Sequence, residues 1–309
     1  MREKKSSGRT PNNRSGSEPK KKYFLVFEGT ETEEIYFDAV KEYFPDKLID
    51  FVTLIRNRSE RGFSNPAKML EMILKNIEEH KTGKYSYRSV IDWITEYIKN
   101  EELVNLKTEK LGEELENICR KEFGKDIDKS IPKKELQNVI GKLLEKLTKY
   151  VKCKFRDINK NMIEEIIKEN DITYCHGFDK IAMIVDRDKG SFTVPQYTKL
   201  VNSCSDNGIR LCVTNPCFEF WLLLHFKNPK FDKKKMLANA KVSNDVTYCH
   251  DVLRKTFKGY HKNSYDAVSL MPKIKDAVQN EHGYCEDTIG LKNNIGSNVG
   301  KLLDELGCK

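Results

Sequence analysis

Three carboxylates close apolar runs in this 309-residue chain. Glu28 follows "YFLVF" (23–27), and Asp186 and Asp188 follow "KIAMIV" (180–185) as Asp186-Arg187-Asp188. Taken singly, Glu28 reads as a surface residue ending a strand and Asp-x-Asp as a turn. Taken together they read differently, because parallel strands end at a common edge, where open α/β folds gather their ligands. Clustered carboxylates repel and raise one another's pKa. A hard divalent cation resolves the repulsion: Mg²⁺ takes one or two carboxylates, keeps several waters and leaves positions for phosphate oxygens. The expected chemistry is therefore phosphoryl chemistry with Mg²⁺ or Mn²⁺. Asp186 and Asp188 would hold the metal against the scissile phosphate, and Glu28 would serve as ligand or general base. Gly29 lets the backbone pass close to metal and substrate.

Further polar residues stand near the same edge. Glu219 opens the apolar helix "CFEFWLLLHF" (217–226), either as a fourth site carboxylate or as a complement to the helix amino terminus. His225, near the far end of that helix, reads as a core or capping histidine. Thr30 and Glu33 match a capping box. Arg187, Lys258 and Lys262 are candidate phosphate clamps. Residues 133–160 carry nine Lys/Arg against three acids, and Lys142, Lys146 and Lys149 fall on one helical face, a candidate nucleic-acid surface or simply a solvated one.

The elements that must position these residues follow from periodicity. Strands are expected at 23–27, 50–55, 180–185 and 209–213, separated by helices at about 65–80 and 194–207, with a further helix after Thr30 whose apolar face is Tyr36, Ala39, Val40 and Tyr43. Strands alternating with helices imply a mainly parallel, buried sheet. Between the second and third strands, Leu111, Leu115 and Ile118, then Leu136, Ile140, Leu143 and Leu147, then Met162, Ile163 and Ile166 recur at helical spacing. The expected organisation is a basic disordered tail (1–21), a discontinuous α/β domain (22–83 and 171–230) with a four-stranded sheet flanked by helices, a helical insertion (84–170) and a helical carboxyl-terminal region (231–309).

Charge and cysteine usage narrow the class. Of the formal net charge of +8, residues 1–22 supply an excess of six, which attracts polyanions or solubilises. No apolar run approaches a membrane span and the amino-terminal residues lack a secretory apolar block, so a cytoplasmic protein is expected. Nine cysteines without a C-x-x-C pair argue for reduced thiols. The repeated "TYCH" (173–176 and 247–250) offers Cys175, His176, Cys249 and His250 as metal ligands, although adjacent Cys-His pairs chelate poorly.

The strand followed by E-G-x-x-T-E and the later strand-terminal D-x-D resemble the Toprim domain of topoisomerases, primases and related nucleases. Within that group the chain is similar to RloB-like proteins, on "VFEGTETEEIYF", "IVDRD", "TNPCFEFWLLLHF" (214–226), "KGYHK" (258–262) and "NIGSNVGKLLDEL" (294–306). It departs from them at Ile295, where such proteins usually carry proline. The resemblance implies a Toprim-like Rossmannoid fold and a metal-dependent nuclease of bacterial anti-phage or abortive-infection loci, with an ABC-type ATPase partner. By analogy, RNA, tRNA included, is favoured over DNA as substrate. Two alternatives stand beside it: a non-catalytic module binding nucleic acid or the ATPase, and a HAD-type phosphatase. The latter wants Thr or Val where Gly190 stands, and its motif on the first strand.

Overall fold

The computed structural model describes residues 21–28, 31–45, 49–53, 66–101, 103, 107–124, 126–150, 160–170, 177–188 and 192–308. In chain order the first elements are β1 (Lys21–Phe27), α1 (Thr32–Tyr43), β2 (Ile49–Thr53), α2 (Pro66–Thr82), β3 (Lys84–Ser86), α3 (Tyr87–Asn100) and α4 (Thr108–Phe123). There follow β4 (Ser130–Pro132), α5 (Leu136–Tyr150), α6 (Lys160–Asn170), β5 (Lys180–Asp186), α7 (Val194–Asp206), β6 (Arg210–Asn215) and α8 (Phe218–Leu223). The last are α9 (Lys233–Ala238), β7 (Lys241–Ser243), β8 (Val246–Thr247), α10 (Tyr248–Thr256), α11 (Ile274–Glu281), β9 (Gly296–Ser297) and α12 (Val299–Glu305). The described residues form two compact units, one drawn from 21–53, 66–71 and 177–308, the other from 72–170.

The first unit is α/β. Its sheet has the order β2-β1-β5-β6-β9, with the first four strands parallel and β9 antiparallel to β6. Residues 23–27 and 181–185 are buried without a break, as expected of central strands covered on both faces. The period of two sorts them. Tyr23, Leu25 and Phe27, with Ala182, Ile184 and Cys212, face the large core built from α1, α8, α10, α11 and α12.

Three sequence expectations change here. The sheet gains a fifth strand, β9, two residues long. The carboxyl-terminal region is not wholly helical: besides β9, β7 and β8 form a small antiparallel ladder. The helix expected at 217–226 stops at Leu223, because the following bonds shift to the tighter spacing, His225 N–H to Leu222 O and Phe226 N–H to Leu223 O.

The second unit is helical apart from the antiparallel β3–β4 pair. The leucine and isoleucine positions read from the sequence, including Leu115, Ile140, Leu143, Leu147 and Ile166, are fully buried in its core. Ser86 caps α3 by accepting the Ser89 N–H, and buried Glu79 accepts from the Ser86 N–H and Ser89 hydroxyl, so the turn's donors are satisfied.

Candidate functional site

β1 connects through α1 to β2 on one side, and β5 connects through α7 to β6 on the other. The strand order therefore reverses between β1 and β5, and the carboxyl ends of those two strands mark the switch point where open α/β sheets bind ligands. Glu28 and Asp186 lie there. The Glu28 N–H continues the ladder to Ile184 O at 3.0 Å, and the Glu28 carboxylate accepts the Asp186 N–H at 2.9 Å on Oε2. The Asp186 carboxylate in turn accepts the Phe218 N–H on Oδ1 at 2.8 Å, which ties the start of α8 to the end of β5.

That tie delivers Glu219. It is buried, with 3% of its side chain exposed, and its Oε1 lies within ion-pair reach of two side chains. Facing that oxygen are the Lys262 ammonium at 3.3 Å and His250 Nδ1 at 3.8 Å. Burial lowers the His250 pKa, so the lysine is the cation of the pair. A further acid completes the group. Glu33 is buried in the first turn of α1, and its charge is the leading electrostatic contribution to Asp186.

Glu33 is the residue that sequence reasoning assigned elsewhere. α1 begins at Thr32 with Glu31 as its N-cap and no side-chain cap bond, so Glu33 does not close a capping box; Thr30 lies outside the described residues. A signal was present nonetheless. Glu33 and Glu219 are each the second residue of a helix that starts just beyond a sheet strand, so both helices aim a first-turn carboxylate at one edge.

The electrostatics follow from this crowding. Burial pushes Asp186 well above the ordinary aspartate range, and Glu33, Glu28 and Glu219 add to it, while Lys262 opposes them. Glu219 is held below the ordinary glutamate value despite its burial, chiefly by Lys262. Cys217, two residues before Glu219, is buried, and its thiol is pushed up by a hydrogen bond with Cys249 and by burial. Of the "TYCH" ligands, Cys175 and His176 lie outside the described residues.

The remaining expected site residues have other surroundings. Asp188 is exposed, and its described bonds run through its carbonyl, which accepts from Phe192 N–H and Arg187. Arg187 is not a surface clamp. It is 2% exposed, donates to the carbonyls of Lys292 and Phe192, and lies over the rings of Phe192 and Tyr197 at 5.6 and 5.2 Å. Lys258 is exposed. On α5, Lys146 pairs with Glu122 and Lys149 with Glu145, both at 2.8 Å, while Lys142 lies over the Phe123 ring. His225 is a satisfied core histidine: its ring contacts the Tyr36 hydroxyl at 3.0 Å and Trp221 O at 3.2 Å, and burial lowers its pKa to about 4.

The group fits a hard divalent cation in kind. Its donors are carboxylate oxygens, they repel one another, and the most buried of them is already met by a cation. Among the described residues, no three His, Cys, Asp or Glu side chains surround one point as a finished ligand set.

An open parallel α/β sheet with an acidic group at its switch point defines the class: an α/β protein whose site is built from strand ends and helix starts. The chain belongs to the RloB-like protein family, whose family model matches residues 23–306. No curated protein and no solved structure matches it.

Proposed function

We propose that this protein is a Toprim-type, metal-dependent nuclease that hydrolyses phosphodiester bonds in nucleic acid, RNA in preference to DNA. The observation that supports this most strongly is the junction at the switch point, where the Glu28 carboxylate meets the first residue of the acidic turn, Asp186, amid two further buried acids. Membership of the RloB-like family supports a role in bacterial anti-phage defence beside an ABC-type ATPase.

In this reading Asp186, with Glu28 or Glu219, would hold Mg²⁺ or Mn²⁺, and Asp188 at the exposed rim would join them. The ion, when bound, supplies Lewis acidity at the scissile phosphate and lowers the pKa of water. Glu28 either shares the ion or takes the proton of the attacking water. The Phe218 amide fixes Asp186 by holding Oδ1, which orients its second oxygen. The buried apolar floor formed by α8 keeps bulk water from the rear of the site. Asp186 ends the third sheet strand in chain order, a position that does not favour the phosphatase alternative.

Incubation of the purified protein with total cellular RNA and with plasmid DNA, in Mg²⁺, Mn²⁺ or EDTA, tests the proposal. Metal-dependent chain cleavage abolished by Asp186→Asn supports it. Intact polymers under every condition sink it, and release of inorganic phosphate from small phosphoesters without chain cleavage points to the phosphatase.

A further inference from the structure

Lys262 is built into the acidic group in an unusual way. Its backbone is fixed in a turn, while its side chain is largely exposed. Residues His261 and Ser264 exchange two hydrogen bonds, so Lys262 lies within a tight turn. The Lys262 carbonyl accepts the Thr32 hydroxyl at 3.1 Å, and the Tyr265 hydroxyl donates to Thr32 O at 2.7 Å, which anchors that turn to the start of α1 beside Glu33. Tyr260 is buried just before it, its ring 5.4 Å from that of His250. The lysine side chain is 58% exposed, yet its ammonium reaches 3.3 Å from a carboxylate that is 3% exposed. Glu219 thus has a cation for a neighbour that is fastened at its root and free to withdraw into water.

Resting on the metal-site reading above, we propose that Lys262 is a tethered counterion: it neutralises the acidic group while no metal is bound and yields Glu219 to an incoming divalent cation. A buried cluster of acids without a counterion is costly, and a flexible ammonium meets that cost without coordinating irreversibly.

The test uses the full chain and Mn²⁺ alone, with free Mn²⁺ followed by its electron paramagnetic resonance signal. Lys262→Met, which keeps the apolar stem, is expected to bind Mn²⁺ at least about tenfold more tightly than wild type, because it removes a competing charge a few ångström away. Lys262→Arg stays near wild type. In the wild-type chain, acetylation of Lys262, read by peptide mass spectrometry, rises severalfold at saturating Mn²⁺. That second readout needs no substitution, so it decides alone if Lys262→Met fails to fold. Mn²⁺ binding by wild type with no gain in Lys262→Met, or acetylation unmoved by Mn²⁺, overturns the inference and leaves the metal site standing. No Mn²⁺ binding by either chain overturns both.

Discussion

Replacing Asp186 by Asn separates stability from chemistry. Asn keeps an oxygen to accept the Phe218 N–H and removes one charge from a group of four acids. The folded pKa of Asp186 lies above its ordinary value of 3.8, so its ionisation opposes folding: the penalty is absent below that value and grows as pH rises through the folded pKa. Asp186→Asn is therefore expected to melt no lower than wild type at pH 8, with the difference vanishing towards pH 4, as differential scanning calorimetry would record. Arg187 behaves oppositely. Arg187→Met strips donors from buried carbonyls and should cost about 2–4 kcal/mol in urea unfolding. The pair shows how far "DRD" was legible. The acid at a strand end could be read from the apolar run before it, but β5 ends at Asp186, and only tertiary packing turns Arg187 into the core between Phe192 and Tyr197.

The 294–306 block, suggestive as sequence, has a structural job at the scale of elements. Asn298 accepts the Val213 N–H at 2.6 Å and donates to Leu211 O at 3.1 Å, so one side chain stands in for a further strand along β6. A Cβ at Gly296 would run into the Cys285 carbonyl, and one at Gly300 into the Glu281 carboxylate. The Ile295 carbonyl accepts the Cys285 N–H at 3.1 Å, a bond that needs no N–H from residue 295 itself. A two-residue strand leaves no period to read, so β9 was hidden, whereas the continuous apolar runs of β1 and β5 were plain. Glu281, 1% exposed, accepts the Gly300 N–H, and burial raises its pKa from 4.5 to about 7. Stability should accordingly fall as pH rises from 4.5 towards 7, by roughly 3 kcal/mol from this residue. Glu281→Gln is expected to flatten that part of the stability–pH curve.

At the scale of the molecule, two units meet two demands. The α/β unit positions the acids, and the helical unit, whose core was legible from its leucine spacing, carries Lys142, Lys146 and Lys149 on α5. Two of the three lysines there are already matched by Glu122 and Glu145. Changing Lys142, Lys146 and Lys149 together to Ala should lower the salt dependence of RNA binding by about one counterion or less, measured by fluorescence anisotropy against salt concentration. Among the described residues no helix is long and apolar enough to cross a membrane. Glu219 was legible at that edge from its place in the first turn of an apolar helix, whereas Glu33 was read as a helix cap because its role depends on where α1 starts relative to the end of β1.

The central claim, that the acids at the switch point perform phosphodiester hydrolysis, is tested most directly by the single-turnover cleavage rate of the polymer the protein cuts, in Mg²⁺, for wild type, Glu28→Gln and Asp186→Asn. Each variant is predicted to lose at least about a hundredfold in rate while melting within a few degrees of wild type at pH 8. Cleavage by Asp186→Asn at the wild-type rate would contradict it.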